Sequence, residues 1–355
     1  MRVLVLSRYS DRAASHFRFY QYARFLAREG IELIAAPLFG PYYLESILDG
    51  ARKRPLQMVI DYLRRFKRVL SAGRYDLVWL QEEAFPWLPA AVEALLSMSS
   101  TPYVVDYDDA WFHRYNLHPN PLVARGLGMK IDWVMRRARL VLAGNGYIRD
   151  HARRAGAQWV ECLPTVVDLD DYPVDSAVNN SVFTIGWLGS PSTSVYLRQR
   201  AFCEALRVVC RNGTARVVFV GSGPIKLTGV PFELHRWRRE TEATEISTFH
   251  VGVSPMSDGP FERGKCGFKL VQYMAASRPV VASPVGFHRD LVDHGANGFF
   301  AETRQDWIDA LMQLQCDPAL RQRMGATGRK MVEDTFCVQA TAPRLARLLV
   351  QAANG

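Results

Sequence analysis

No two of the six cysteines, at positions 162, 203, 210, 266, 316 and 337, form a CxxC pair or a zinc-ligand spacing. That excludes a redox dithiol and a structural zinc site, and a reduced compartment is the simpler reading. Long apolar runs are missing too. Met1–Leu6 passes straight into Ser7, Arg8 and Tyr9, which leaves neither a signal-peptide core nor the roughly 18 apolar residues of a membrane span. A cytoplasmic protein is therefore expected. There is no internal repeat, no low-complexity tract and no run of like charge long enough to be a nucleic-acid tail. The net charge of +9 is spread over both halves and no nucleic-acid-binding motif accompanies it, so no nucleic-acid partner is expected.

What is present is an ordinary globular balance, 48% apolar and 22% charged residues, in 355 residues. Single cores stop growing at about 250 to 300 residues, so two domains are expected. Unalternated apolar runs at 3–6, 31–36, 77–80, 103–105 and 140–143 read as strands buried on both faces. Amphipathic helical patterns separate them, for example Phe19, Tyr22, Ala23 and Leu26 ahead of Gly30. After a polar, turn-rich stretch at 168–181 the alternation restarts, with strands at 183–188, 217–220, 250–256, 279–282 and 299–301. Helices are expected from about Thr193, Thr241 and Phe268. This predicts an α/β protein of two Rossmann-like, doubly wound domains facing a central cleft. Their expected bounds are 1–170 and 171–335, with a final helical segment, 336–355, returning to the first domain.

The segment 258–276, DGPFERGKCGFKLVQYMAA, places Arg263, Lys265 and Lys269 around a glycine-containing loop, with Gly267 just before a helix at Phe268. Helix amides and the macrodipole favour an anion at such a point. Cations there oppose the dipole unless an anion is bound, so a phosphate or diphosphate is the natural occupant. In the loop IGWLGSPST, Ser190 to Thr193 fit a plain helix cap ahead of a helix from about Thr193.

The run DGPFERGKCGFKLVQYMAASRPVVASPVG, followed by LVDHGANGFFAE, resembles the carboxyl-terminal domain of the retaining GT-B glycosyltransferases of family 4. VVFVGSGP and LPTVVDLDDY resemble further parts of the same family, so the likeness covers most of the chain. It implies transfer of a hexose unit, with retention, from a nucleoside diphosphate sugar to a hydroxyl of a glycan or lipid-linked acceptor, with no cofactor. In that family two glutamates eight positions apart hold the sugar and the ribose. Here Gly264 and Gln272 stand in those places, with Glu262 as the nearest substitute for the first. The resemblance also places Asp108 and Asp109, in TPYVVDYDDAWFHRY, where the family has a His-Asp pair facing the donor sugar.

Asp106 and Asp108 also read as a DxD metal motif. That motif belongs to a different fold, and with Lys265 and Lys269 offering the neutralising charge no metal is expected. Arg12 and Arg18, in the loop after the first strand, and His113 are candidates for the acceptor side. The catalytic set expected is Asp108, Asp109, Lys265 and Lys269, and the donor is expected to be UDP- or GDP-linked. By the same resemblance Trp187 and Ser192 stand where the family has an Arg and a Lys, which leaves Gly189, Ser190, Ser192 and Thr193 as the further phosphate contacts. Two rival functions share the fold: a nucleotide-sugar 2-epimerase, and a nucleotide-sugar-binding protein without turnover, the latter suggested by Gly264 and by the missing Arg-Lys pair.

One helix stands apart. Leu56, Val59, Ile60 and Leu63 recur at helical spacing, with the cations Arg64, Arg65, Lys67 and Arg68 beside them and Arg52, Lys53 and Arg54 upstream. Either the apolar face packs on the domain's own sheet, or the helix lies on an anionic membrane surface and makes the protein peripheral on the inner face.

Overall fold

The central apolar runs become parallel strands buried on both faces, while the edge run 32–35 is half-exposed. The computed structural model describes residues 1–10, 13–40, 42–43, 55–98, 100–173 and 182–355. The chain divides into two units: unit 1 is Met1–Val166, Arg263–Cys266 and Val338–Gly355, and unit 2 is Val167–Glu262 and Gly267–Cys337.

Unit 1 holds β1 (Arg2–Leu6), β2 (Glu32–Ala35), β3 (Leu77–Gln81), β4 (Tyr103–Tyr107), β5 (Leu140–Ala143) and β6 (Val160–Cys162). They form one parallel sheet in the order β2-β1-β3-β4-β5-β6. The order reverses between β1 and β3, which opens a crevice at the carboxyl ends of those strands. The helix Val338–Asn354 completes this unit. Its Leu345 and Leu349 are fully buried, and the hydroxyls of Thr341 and Tyr22 meet at 2.9 Å.

Unit 2 holds β7 (Phe183–Leu188), β8 (Ala215–Val220), β9 (Phe232–His235), β10 (Val251–Ser254), β11 (Val280–Ala282) and β12 (Gly298–Phe300). Their order, β12-β11-β10-β7-β8-β9, is again wholly parallel. Here the reversal falls between β7 and β10.

Two strands were not expected, β6 and β9. Both are sheet edges with half-exposed, mixed side chains, so neither carries the apolar run of a central strand. The helix expected from Thr193 is a correction. Ser194–Arg198 is a 3-10 turn, and the α-helix runs from Arg200 to Val209. The Thr193 hydroxyl bonds back to the Ser190 carbonyl at 3.1 Å, closing a turn rather than capping the later helix.

The helix Pro55–Leu70 has its burial reversed. Asp61, Arg65 and Val69 face inward. Leu56, Val59, Ile60, Leu63 and Leu70 are 80%, 59%, 49%, 59% and 63% exposed, so the apolar face does not pack on the unit's own sheet. Arg52, Lys53 and Arg54 lie outside the described residues.

Candidate active site

In unit 2 the loop after β7 and the helix Phe268–Ala275 bring one cation to the sheet reversal. Gly267 enters that helix with φ +63°, a conformation glycine adopts without a Cβ penalty. At the second helical position, the Lys269 ammonium lies 4.1 Å from the centre of the Trp187 ring and donates to the Thr193 hydroxyl at 3.3 Å. A β-carbon on Gly189 would come within 2.7 Å of Lys269 Nζ and 2.6 Å of Trp187, so only glycine lets the backbone approach this closely. Trp187 is buried, and its π face holds the ammonium in place. The Ser190 amide donates to Thr193 Oγ1 at 3.2 Å, and the hydroxyls of Ser190 and Ser192 meet at 2.8 Å. The result is a rigid loop with a lysine at a helix amino terminus, which is anion-binding chemistry.

Gln272 lies on the same helix but is buried. Its amide nitrogen donates to Glu242 Oε1 at 2.5 Å and to the Tyr172 hydroxyl at 3.3 Å. Both amide hydrogens are thus engaged, and a further ligand can meet only the carbonyl Oε1. Glu242 also accepts from Tyr172 at 3.1 Å and from the Trp237 indole at 2.5 Å. Burial pushes its carboxyl above the usual range, against these hydrogen bonds. Sequence reasoning missed Tyr172, Trp237 and Glu242, because each sits far along the chain from the loop motif.

Lys265 and Arg263 fall in unit 1. Arg263 ends a short helix, Pro260–Arg263, and is exposed. Lys265 Nζ lies 3.6 Å from Asp109 Oδ2, and the Cys266 amide donates to Asp109 Oδ1 at 3.2 Å. The Asn145 side chain donates to the carbonyls of Gly264 and Lys265, at 2.9 and 3.2 Å. A β-carbon on Gly264 would lie 2.3 Å from that of Ala110. A side chain at position 264 would therefore collide with Ala110 unless one of them shifted. Glu262 accepts from the Tyr196 hydroxyl at 2.6 Å within unit 2.

Asp108 accepts from the Trp111 indole at 3.3 Å and from the Asp109 amide at 2.9 Å. Burial first, and then the neighbouring Asp109 charge, push its carboxyl up to about 6. Asp106 has a different environment. Its Oδ1 takes a 2.7 Å hydrogen bond from Arg18 Nε, and its Oδ2 takes one from the Trp79 indole at 3.3 Å.

Arg18, read from sequence as an acceptor contact, is buried as the counter-ion of Asp106, and its Nη1 donates to the Leu163 carbonyl at 2.9 Å. The ring of His113 uses both nitrogens, one with Asn116 at 2.9 Å and the other with the Tyr147 hydroxyl at 2.8 Å. Arg12 lies outside the described residues.

The unit 1 reversal also carries groups that sequence reasoning passed over. Arg8 Nη2 lies 2.7 Å from Glu82 and 3.3 Å from Glu83, and its guanidinium lies 4.3 Å over the Trp111 ring. Glu82 holds φ +59°, a strained setting for a side chain of its size and of a kind that clusters at functional sites. Burial raises its carboxyl well above the usual range. Lys130 closes the set, 2.7 Å from Glu83 and 3.2 Å from Glu93. The adjacent glutamates directly after an apolar strand were the available signal.

Comparison with known proteins decides the class. Residues 182–317 match the family model of glycosyl transferases group 1, and residues 1–164 match that of the glycosyl transferase 4-like domain. The chain is a glycosyltransferase of the GT-B fold. Among solved structures, the enzyme is similar to Anabaena Alr3699/HepE in complex with UDP-glucose, at 18% identity and a TM-score of 0.73, covering 99% of this chain and 100% of that one. It is also similar to sucrose-phosphate synthase from Thermosynechococcus elongatus, at 15% identity and TM-score 0.71, covering 99% and 98%. A glycosyltransferase from Rickettsia africae aligns at 13% identity and TM-score 0.70, covering 100% and 99%. None of the curated proteins matches the chain.

Proposed function

We propose that this glycosyltransferase moves a hexose unit, with retention as in the family 4 enzymes it resembles, from a UDP- or GDP-linked sugar to a hydroxyl of a glycan or lipid-linked acceptor. The bond from the anomeric carbon to the diphosphate oxygen breaks, the acceptor oxygen takes that carbon, and its proton is released. The observation that carries the reading is Lys269, set over Trp187 beside Gly189 at the sheet reversal of unit 2. A fixed cation and helix amides aimed at a departing diphosphate stabilise charge where it develops. Complexes of HepE with UDP and UDP-glucose support a uridine donor. Unit 1 carries the further catalytic candidates Asp108, Asp109 and Lys265, and the enzyme works in the cytoplasm at the inner face of the membrane.

Titration calorimetry with UDP, GDP and their sugars tests the donor site. Wild type binds at least one of the diphosphates, and Lys269→Ala weakens it about a hundredfold while the melting temperature moves little, the scale expected for a fully engaged charged contact. Wild-type affinity in the variant removes the assignment.

A further inference from the structure

The helix Pro55–Leu70 is held by its polar residues. Arg65 donates through Nη2 to the Ser7 carbonyl and, at 3.1 Å, to the Ala36 carbonyl, at the ends of β1 and β2. Asp61 accepts from the Tyr42 hydroxyl, from Gln57 at 3.1 Å and from Arg64 at 3.1 Å. The Tyr62 hydroxyl donates to the Pro86 carbonyl at 2.7 Å. Only Val69 adds a buried apolar side chain. The apolar stripe Leu56, Val59, Ile60, Leu63 and Leu70 thus contributes nothing to the packing of the fold.

The exposed residues of this helix are Pro55, six apolar side chains including Phe66, and the cations Arg64, Lys67 and Arg68. Its one acid, Asp61, is buried. An outward face of apolar side chains and cations, with no exposed acid, is complementary to one kind of partner, an anionic surface with an apolar interior. Trp87 stands beside it, directly after the Pro86 carbonyl that Tyr62 binds. Its φ of +65° holds a 44% exposed indole, over which the Arg114 guanidinium sits at 4.9 Å. An exposed indole paired with a cation suits a headgroup layer. No described helix is long and apolar enough to cross a membrane, so this one would lie in the interface plane.

We propose that the Pro55–Leu70 helix docks unit 1 onto an anionic lipid bilayer, its leucine stripe entering the acyl boundary and Arg64, Lys67 and Arg68 meeting the headgroups. This deepens the functional reading above, because it names the surface through which the enzyme meets the membrane that carries a lipid-linked acceptor. Each cation near an anionic surface changes the partition about fivefold, so three together change it about a hundredfold.

Co-sedimentation of the full chain tests it, using vesicles of phosphatidylcholine alone or of equal parts phosphatidylcholine and phosphatidylglycerol. Binding is expected only with the mixed vesicles, and to fall as salt rises. The triple variant Arg64→Gln, Lys67→Gln, Arg68→Gln should lose about a hundredfold in partition. Leu56→Ser, Leu63→Ser, Leu70→Ser should lose the salt-resistant part. All six side chains are exposed, and a melting curve checks that each variant stays folded. Absence of wild-type binding to mixed vesicles, or equal sedimentation of wild type and both variants, overturns the proposal. So does concentration-dependent dimerisation that the serine variant abolishes while vesicle binding persists. Diphosphate affinity in the same samples is read separately, so a wrong docking surface and a wrong donor site give different results.

Discussion

Asp108 carries the clearest consequence of placement at the residue scale. Its carboxyl is pushed up to about 6, so below that value it is largely neutral and cannot hold developing positive charge. Activity on any accepted donor should rise with pH through about 6, and Asp108→Asn should lose that limb and about a hundredfold or more in rate, as when a preorganised electrostatic group is removed. Stability runs the other way. Because the folded group keeps its proton to higher pH than the unfolded one, its contribution falls as pH rises from the ordinary carboxylate range to about 6. Urea unfolding should therefore find Asp108→Asn more stable than wild type at neutral pH and equal to it in strong acid. Asp106, by contrast, is tied to Arg18 and Trp79, so the pair is not arranged as a shared metal clamp. Transfer rates measured in EDTA should match those without it. The DYDD run was legible as a cluster of acids at the end of a strand, but which acid faces Arg18 was not, since that depends on a contact between positions far apart in sequence. Gly264 shows the same limit: its lack of a carboxylate was plain, while the Ala110 side chain that a β-carbon there would meet was not.

Two helices of unit 2, Phe268–Ala275 and Arg239–Ser247, are joined through Gln272 and Glu242, and the pair explains why an amide stands in the glutamate position. A carboxylate there would face Glu242 inside a buried network. Two such acids cannot both ionise, and one keeps its proton. Gln272→Glu should cost about 3 kcal/mol at neutral pH, the scale of an uncompensated buried charge. The loss should shrink on acidification, because the folded state then binds the extra proton. Adding Glu242→Gln should restore most of the stability, read by denaturant midpoints. The central strands were legible because buried parallel strands write an unbroken apolar run, and Phe183–Leu188 matches its expected bounds. The edge strands β6 and β9 write no such run, and the 3-10 turn after Thr193 depends on a hydroxyl reaching back to Ser190, which periodicity does not record.

For the whole molecule, the two units have separate cores, so unfolding need not be a single transition. Leu345 and Leu349 are fully buried in unit 1, and Leu349→Ala should cost it about 2 to 5 kcal/mol. Calorimetry should show the unit 1 transition moving down while diphosphate affinity, assigned to unit 2, stays unchanged. A loss of both together would mean that the units do not unfold independently. The return of Val338–Asn354 to the sheet that Arg2–Leu6 begins also sets an order of assembly on the ribosome. Domains generally fold as they emerge, yet the unit 1 sheet lacks the helix that covers Tyr22 until the residues after Cys337 have been made. The second sheet has all of its own strands and helices by Cys337. The unit that starts first is completed last, and until then the apolar face that Leu345 and Leu349 cover lies open.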